Sequence, residues 1–513
     1  MKVGAMLRAH ARRHPEKTAI VLGEETLSFA QLDERSDRIA NALLDRGVKT
    51  GERVVVYVGN SLALVELIAG VWKSGAILVP VTTWITGPEL AFMVSDCTPV
   101  MIIHGPDQTD AVDEALKDAG DVARVFIGDN APAGTETLEA LVASGAAQPP
   151  PALAALPDDG MISYTSGTTG RPKGAIITQA SMAVQVNLTS TMWGIPPDPV
   201  LLVSTPLAHR TGLSRLVACY CQGATVVVLP RFDVKAAIEA IGRHKVTVFG
   251  GVPTVVRMLL DGLDDADDRC DSLQFIMATG EAFPVPLKHR LFKRLPNARL
   301  ISFYAMTEAG SPAALMHEQQ LDKPDSVGRP VPGMEVRLMG EDNVEVAQGE
   351  AGEIQVRCGE PGKLILLREY WNRPEANAAS FDGHWFKTGD VGRFDEDGFL
   401  YLVDRVKDMI VSGGLNIYSK EVEQALETHP AVSQAAVVGA PDDEFGECVV
   451  AFIVAHDPVD AAAVIDHCRT RIASYKKPKH VIFTDELPHN VTGKMIKTEL
   501  REQAIAKIAE LAG

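Results

Sequence analysis

The sequence predicts an α/β protein. It has a large N-terminal domain of layered, largely parallel sheets, a small β-rich subdomain and a small α+β C-terminal domain. Three observations carry this. Apolar runs of strand length alternate with amphipathic helical patterns through most of the chain. Short strand-like segments separated by Gly and Asp begin near residue 326. After Asp404 the pattern becomes helix, strand, strand, helix.

Residues 53–58 (Arg-Val-Val-Val-Tyr-Val) read as a buried strand, 61–73 as the helix that follows and 76–80 as strand again. Met161-Ile-Ser163 reads as the end of another buried strand. The rhythm returns at 201–204, 224–229, 246–249 and 273–278. Between them, 234–244 places Val234, Ala237, Ile238 and Ile241 on one helical face. Residues 142–157, rich in Ala and Pro, read as a loose connector. The acidic run 261–271 has no ordered ligand spacing and reads as a solvated loop. Short strands are expected at 327–338, 352–357 and 398–403. The last part reads as helix 421–429, strands 435–439 and 449–454, and helix 461–472. There is no internal repeat.

Length and composition bound the function. A chain of 513 residues exceeds one ordinary core. Apolar content of 46% with 23% charged residues fits a soluble globular protein. A net charge of −18 excludes a nucleic-acid partner and electrostatic docking on an anionic membrane. Seven scattered cysteines without a CxxC pair point to neither a disulfide framework nor a zinc site, and suit a reducing cytoplasm. Cys219 and Cys221 read as buried thiols. The N-terminus lacks the apolar core of a signal peptide, and no stretch approaches the ~18 apolar residues of a membrane span.

The most chemically loaded segment is Tyr164-Thr-Ser-Gly-Thr-Thr-Gly-Arg-Pro-Lys-Gly174. Glycines let the backbone approach an oxyanion, hydroxyls and N–H groups donate to it, and Lys173 adds a point charge. It is not a Walker A loop, because its lysine precedes the last glycine instead of following it.

Five further segments follow in order. They are Pro206-Leu-Ala-His-Arg-Thr-Gly212, Phe303-Tyr-Ala-Met-Thr-Glu-Ala309, Trp385-Phe-Lys-Thr-Gly-Asp390, Asp404-Arg-Val-Lys-Asp-Met-Ile-Val-Ser-Gly-Gly414 and Leu487-Pro-His-Asn-Val-Thr-Gly-Lys494. Together the six resemble the adenylate-forming superfamily of acyl-CoA synthetases, peptide-synthetase adenylation domains and beetle luciferases. The resemblance spans essentially the whole chain. It implies ATP-dependent activation of a carboxylic acid and a C-terminal domain that moves. The chemistry suits the residue types. A carboxylate is a poor electrophile until joined to AMP, and bringing it to a polyanionic nucleotide requires cations and fixed dipoles.

The resemblance further implies roles. Thr165, Ser166, Gly167, Thr168, Thr169, Gly170 and Lys173 would cradle the β- and γ-phosphates. Thr307 would contact the α-phosphate and Glu308 would hold Mg²⁺. Tyr304 would stack on adenine beside Gly280, Glu281 and Ala282, while Asp390 and Arg405 would bind the ribose. Lys494 would be the catalytic lysine. The domains implied are 1–403 (β-rich subdomain about 326–403), a hinge at 404–407 with Lys407 as pivot, and 408–513. Gly413 and Gly414 would admit the pantetheine arm of coenzyme A. His209 would gate the acyl pocket, and Ala305, where the family commonly has glycine, would narrow it.

Arg210 beside His209 reads as a solvated side chain. The sharper alternative is that Arg210 or Arg215 pairs with a second polar or anionic group on the acid. The leading expectation is an acid–CoA ligase using ATP, Mg²⁺ and CoA. A peptide-synthetase domain places an acidic residue after the fourth motif, and 206–217 contains no Asp or Glu. Transfer to a carrier protein or other acceptor, a ligase stopping at the adenylate, a luciferase-type oxygenase and a non-catalytic nucleotide-binding regulator are the other readings. A protein acetyltransferase acting on Lys494 is a possible partner. The sequence leaves the acid and the oligomeric state open.

Overall fold

Continuous Val, Ile and Leu runs make strands buried on both faces, and such strands pair in parallel beneath covering helices. The computed structural model describes residues 2–512 apart from 152–157, 166–171, 265, 281, 341, 414, 443–444 and 490–494. It divides into two units, Met1–Val336 with Val356–Phe386, and Arg337–Gln355 with Lys387–Gly513. The stretch read as a β-rich subdomain is therefore shared between them.

The first unit holds two large sheets. In the seven-stranded sheet, Arg53–Tyr57 lies between Met101–His104 and Ile77–Val81, all parallel. Beyond Ile77–Val81 come β1 (Asp159–Thr165) and β2 (Lys173–Thr178), an antiparallel hairpin in which Thr165 faces Lys173. The helix α1 (Gln179–Trp193) follows. The Thr178 side chain caps its start, and left-handed Gly194 ends it at φ +70°.

The nine-stranded sheet is parallel in its middle and antiparallel at both edges. Thr18–Leu22 and Glu25–Ser28 form one edge; the chain re-enters at β3 (Val200–Val203), passes through α2 (Arg210–Gln222) to Thr225–Val228 on one side, and then returns to β4 (Val248–Gly251) on the other. β5 (Phe275–Ala278) and β6 (Arg299–Met306) extend the parallel run. β7 (Gly310–Leu315) pairs antiparallel with β6. Ile238, Ile241, Leu259 and Leu291 from the helices pack on Leu202, Phe249, Ile276 and Leu300 of the strands. The helix expected at 234–244 spans Val234–His244. A short helix, Leu138–Ser144, runs into the stretch expected to be a loose connector.

β8 (Trp385–Phe394) begins in the first unit, and its part in the second pairs with β9 (Leu400–Arg405). A separate sheet is built on the long hairpin Val432–Asp442 and Gly446–Ala455. Alternation along it sends Val437, Ala451 and Ile453 to one helix-covered face and Val438, Val450 and Phe452 to the other. Among the described residues no helix is long and apolar enough to cross a membrane.

Candidate active site

In open α/β sheets, ligands lie outside the carboxyl ends of strands, where the strand order reverses. β3 and β4 make that reversal here. Their ends, with those of β5 and β6, carry His209, Gly250, Gly251, Gly280, Tyr304, Thr307 and Glu308. The Thr279 hydroxyl donates to the Phe303 carbonyl at 2.9 Å, tying two of these ends together. Gly280 has φ +96°, which favours glycine. Ala282 is exposed, whereas Tyr304 is buried and faces Ala313 across the β6–β7 ladder. The register of that ladder slips between Tyr304 and Met306. The slip leaves Thr307 and Glu308 on the tight connection between the strands.

Glu308 is the best-defined group. Its Oε1 accepts from Thr165 Oγ1 at 3.0 Å and from Tyr370 Oη at 3.0 Å. Its carbonyl accepts from Leu367 N at 2.7 Å. Among the described residues, Oε2 accepts no hydrogen bond. Two neutral hydroxyls orient the carboxylate without neutralising it. The group therefore fits a hard divalent cation that shares its remaining sites with phosphate oxygens. Burial, then the Glu308 charge, pushes the Tyr370 phenol above its ordinary pKa, so it stays a donor. Lys173 lies with Nζ 5.3 Å from the centre of the Tyr370 ring.

Thr165 and Lys173 thus bring both ends of the glycine-rich loop beside Glu308. The loop's own Ser166, Gly167, Thr168, Thr169 and Gly170 lie outside the described residues, as do Glu281, Gly414 and Lys494. Sequence reasoning missed Tyr370. It sits on a strand-like stretch along β2, where Arg368 N donates to Ile176 O, Ile176 N to Glu369 O and Trp371 N to Gly174 O. No apolar alternation marks that stretch, so the only signal was the aromatic pair Tyr370-Trp371.

His209 caps α2, with Nδ1 accepting from Thr211 N at 3.3 Å. His209 is exposed, yet desolvation by the protein around the ring, and then the Arg210 charge, hold its pKa below the ordinary value. Arg210 is not solvated as expected. It is 5% exposed, with Nη2 donating to Gln185 Oε1 at 2.8 Å and Ile365 O at 3.3 Å. Helix α2 packs against α1 on that side, and a side chain at the first helical turn has no route to water. Arg215 is 7% exposed, and its Nη1 donates to Thr211 O at 2.8 Å.

In the second unit, Asp390 and Arg405 stand opposite each other on β8 and β9, with Nε to Oδ1 at 3.2 Å. Asp390 is buried and its side chain is oriented by that guanidinium. Asp404 accepts from its neighbour Arg405 N and from Ser419 Oγ. Lys407 is exposed on the short 3-10 turn Val406–Asp408. Gly413, at φ +60°, opens a tight hairpin turn, and its N–H donates to Phe445 O at 2.8 Å.

The family model for AMP-binding enzymes matches residues 7–371, and that for the AMP-binding enzyme C-terminal domain matches 421–494. The chain is 35% identical to the long-chain-fatty-acid–CoA ligase FadD13 of Mycobacterium tuberculosis over 99% of both chains. It is 34% identical to a feruloyl-CoA synthase of an Amycolatopsis species, covering 96% of this chain and 97% of that one. It superposes with a TM-score of 0.83, at 30% identity and over 97% and 98% of the two chains, on the o-succinylbenzoate coenzyme A synthetase of Bacillus subtilis solved with ATP and magnesium ion.

Proposed function

The chain belongs to the AMP-binding enzyme family, and on that premise we propose that it is an ATP-dependent carboxylic acid–CoA ligase. In the first step a carboxylate oxygen attacks the α-phosphorus of ATP. The bond to the bridging oxygen breaks, and pyrophosphate leaves carrying that oxygen. In the second step the CoA thiol loses its proton and attacks the acyl carbon, and AMP departs. ATP and CoA are co-substrates, and Mg²⁺ is the metal.

The observation that carries this reading is Glu308. It is a carboxylate held by two hydroxyls with, among the described residues, one oxygen unengaged, at the strand ends near Lys173 and both ends of the glycine-rich loop. Mg²⁺ bound there would neutralise charge developing on phosphate oxygens. Lys173 and the loop hold the departing pyrophosphate. Thr307 donates to the α-phosphate, and Tyr304 packs against adenine beside Gly280. Asp390, fixed by Arg405, accepts from the ribose hydroxyls.

Lys494 delivers its ammonium for the first step. A turn about Lys407 withdraws it for the second, when Gly413 and Gly414 give the thiol-bearing arm its path. Acetylation of Lys494 would remove the charge and silence the first step. Seven cysteines, all unpaired and buried, support a cytoplasmic setting.

A pyrophosphate-release assay over a panel of carboxylic acids, with and without CoA, tests the proposal, with acyl-CoA followed by mass spectrometry. The expected outcome is acid-dependent release and a thioester that forms only with CoA. Release without any thioester would move the reading to another acyl acceptor.

A further inference from the structure

Helix α2 carries two buried guanidinium groups in unlike surroundings. Arg210 has the Gln185 amide oxygen and the Ile365 carbonyl as acceptors, both on Nη2, while its Nε and Nη1 are buried without one, and the Glu308 charge acts on it. Arg215 has a single neutral acceptor, the Thr211 carbonyl, and its buried Nε has none. Among the described residues no carboxylate acts on it, and burial pushes its pKa down to about 10, so it stays a cation at neutral pH.

A buried, unpaired cation is costly unless a counter-charge arrives. The fold makes room for this one. A Cβ built on Gly250 would stand 1.7 Å from Arg215 Nη2, so a side chain there would displace the guanidinium. Gly250 is the penultimate residue of β4, one of the two strands between which the sheet order reverses. The anchoring carbonyl, Thr211, belongs to the first turn of α2, two residues past His209.

We propose that Arg215 forms the anion-binding end of the acid pocket, and that the acid activated is a dicarboxylate whose second carboxylate pairs with this guanidinium. The proposal rests on the ligase reading and adds the substrate class to it. The planar fork of arginine suits a carboxylate, and the Nε edge is free to donate.

The test is pyrophosphate release with CoA, using monocarboxylates and dicarboxylates matched in length, for the wild type, Arg215→Met and Gly250→Ala. The melting temperature of each protein is recorded with and without each acid. The wild type is expected to favour a dicarboxylate by roughly 10–100-fold in kcat/KM, the size of a hydrogen-bonded charge. Arg215→Met should bring that ratio to about one. Gly250→Ala, which displaces the guanidinium, should shrink it. Removing an unpaired buried cation should leave the melting temperature of unliganded Arg215→Met at or above that of the wild type.

A wild type that favours monocarboxylates, or a ratio unmoved by Arg215→Met, overturns the proposal and leaves the ligase reading standing. A lower melting temperature with both substrate classes falling together assigns Arg215 to structure instead. If Arg215→Met does not fold, the wild-type ratio and Gly250→Ala still decide. A wild type silent on every acid removes the ligase reading itself. In that case dicarboxylates that fail to raise the wild-type melting temperature overturn the anion site as well.

Discussion

Two carboxylates in this chain have opposite surroundings. Glu308 is held by hydroxyls from Thr165 and Tyr370, and among the described residues it makes no ion pair. Asp390 is held by the guanidinium of Arg405. Hydroxyls orient a charge without cancelling it, whereas a guanidinium both orients and offsets it. The first arrangement leaves the carboxylate without an ion pair among the described residues, which would suit a metal ion. The second leaves a steady acceptor whose charge is already balanced, suited to neutral hydroxyls.

The comparison can be broken or sharpened by substitution. The largest effect is expected for Glu308→Gln, which keeps the shape and removes the charge. Pyrophosphate release should fall about 10³-fold, with a steep rise in the Mg²⁺ needed, as read from initial rates in a metal titration. Unchanged Mg²⁺ dependence would end the assignment of the metal to Glu308.

Next comes Lys494→Ala. It should slow adenylate formation by at least about 10²-fold and leave thioester formation from supplied acyl-AMP far less affected. Equal losses in both half-reactions would remove the idea that Lys494 serves one step only.

Asp390→Asn tests the other side of the comparison. Losing a charged acceptor should raise KM for ATP by about 10–100-fold without altering the Mg²⁺ requirement. If it shifts the metal titration as Glu308→Gln does, the two carboxylates do not divide the work as described. The smallest effect belongs to Tyr370→Phe. Removing one of two donors to Oε1 should raise the Mg²⁺ needed by about 5-fold, near 1 kcal/mol. A variant indistinguishable from wild type would show that Thr165 suffices.

The legibility of the site followed its locality. Thr165, Lys173, Thr307 and Glu308 sit in short contiguous motifs, and their residue types already announce phosphate and metal chemistry. Asp390 and Arg405 were likewise readable, although only the β8–β9 register shows them as a pair. Tyr370 was invisible because its contact with Glu308 joins segments sixty-two residues apart. Arg210 was read as solvated because exposure is not a local property. It is the packing of α2 against α1, with Gln185 and Ile365 as acceptors, that closes water off.

The sequence by itself determined the class of reaction and the α/β layering. Both depend on patterns that repeat along the chain: apolar periodicity for the sheets, and dense donor loops for the nucleotide. Tertiary structure alone decided which carboxylate stands beside an arginine and which buried arginine has, among the described residues, no carboxylate acting on it. Charge balance and burial are sums over neighbours brought from distant segments, and no window of sequence contains those neighbours.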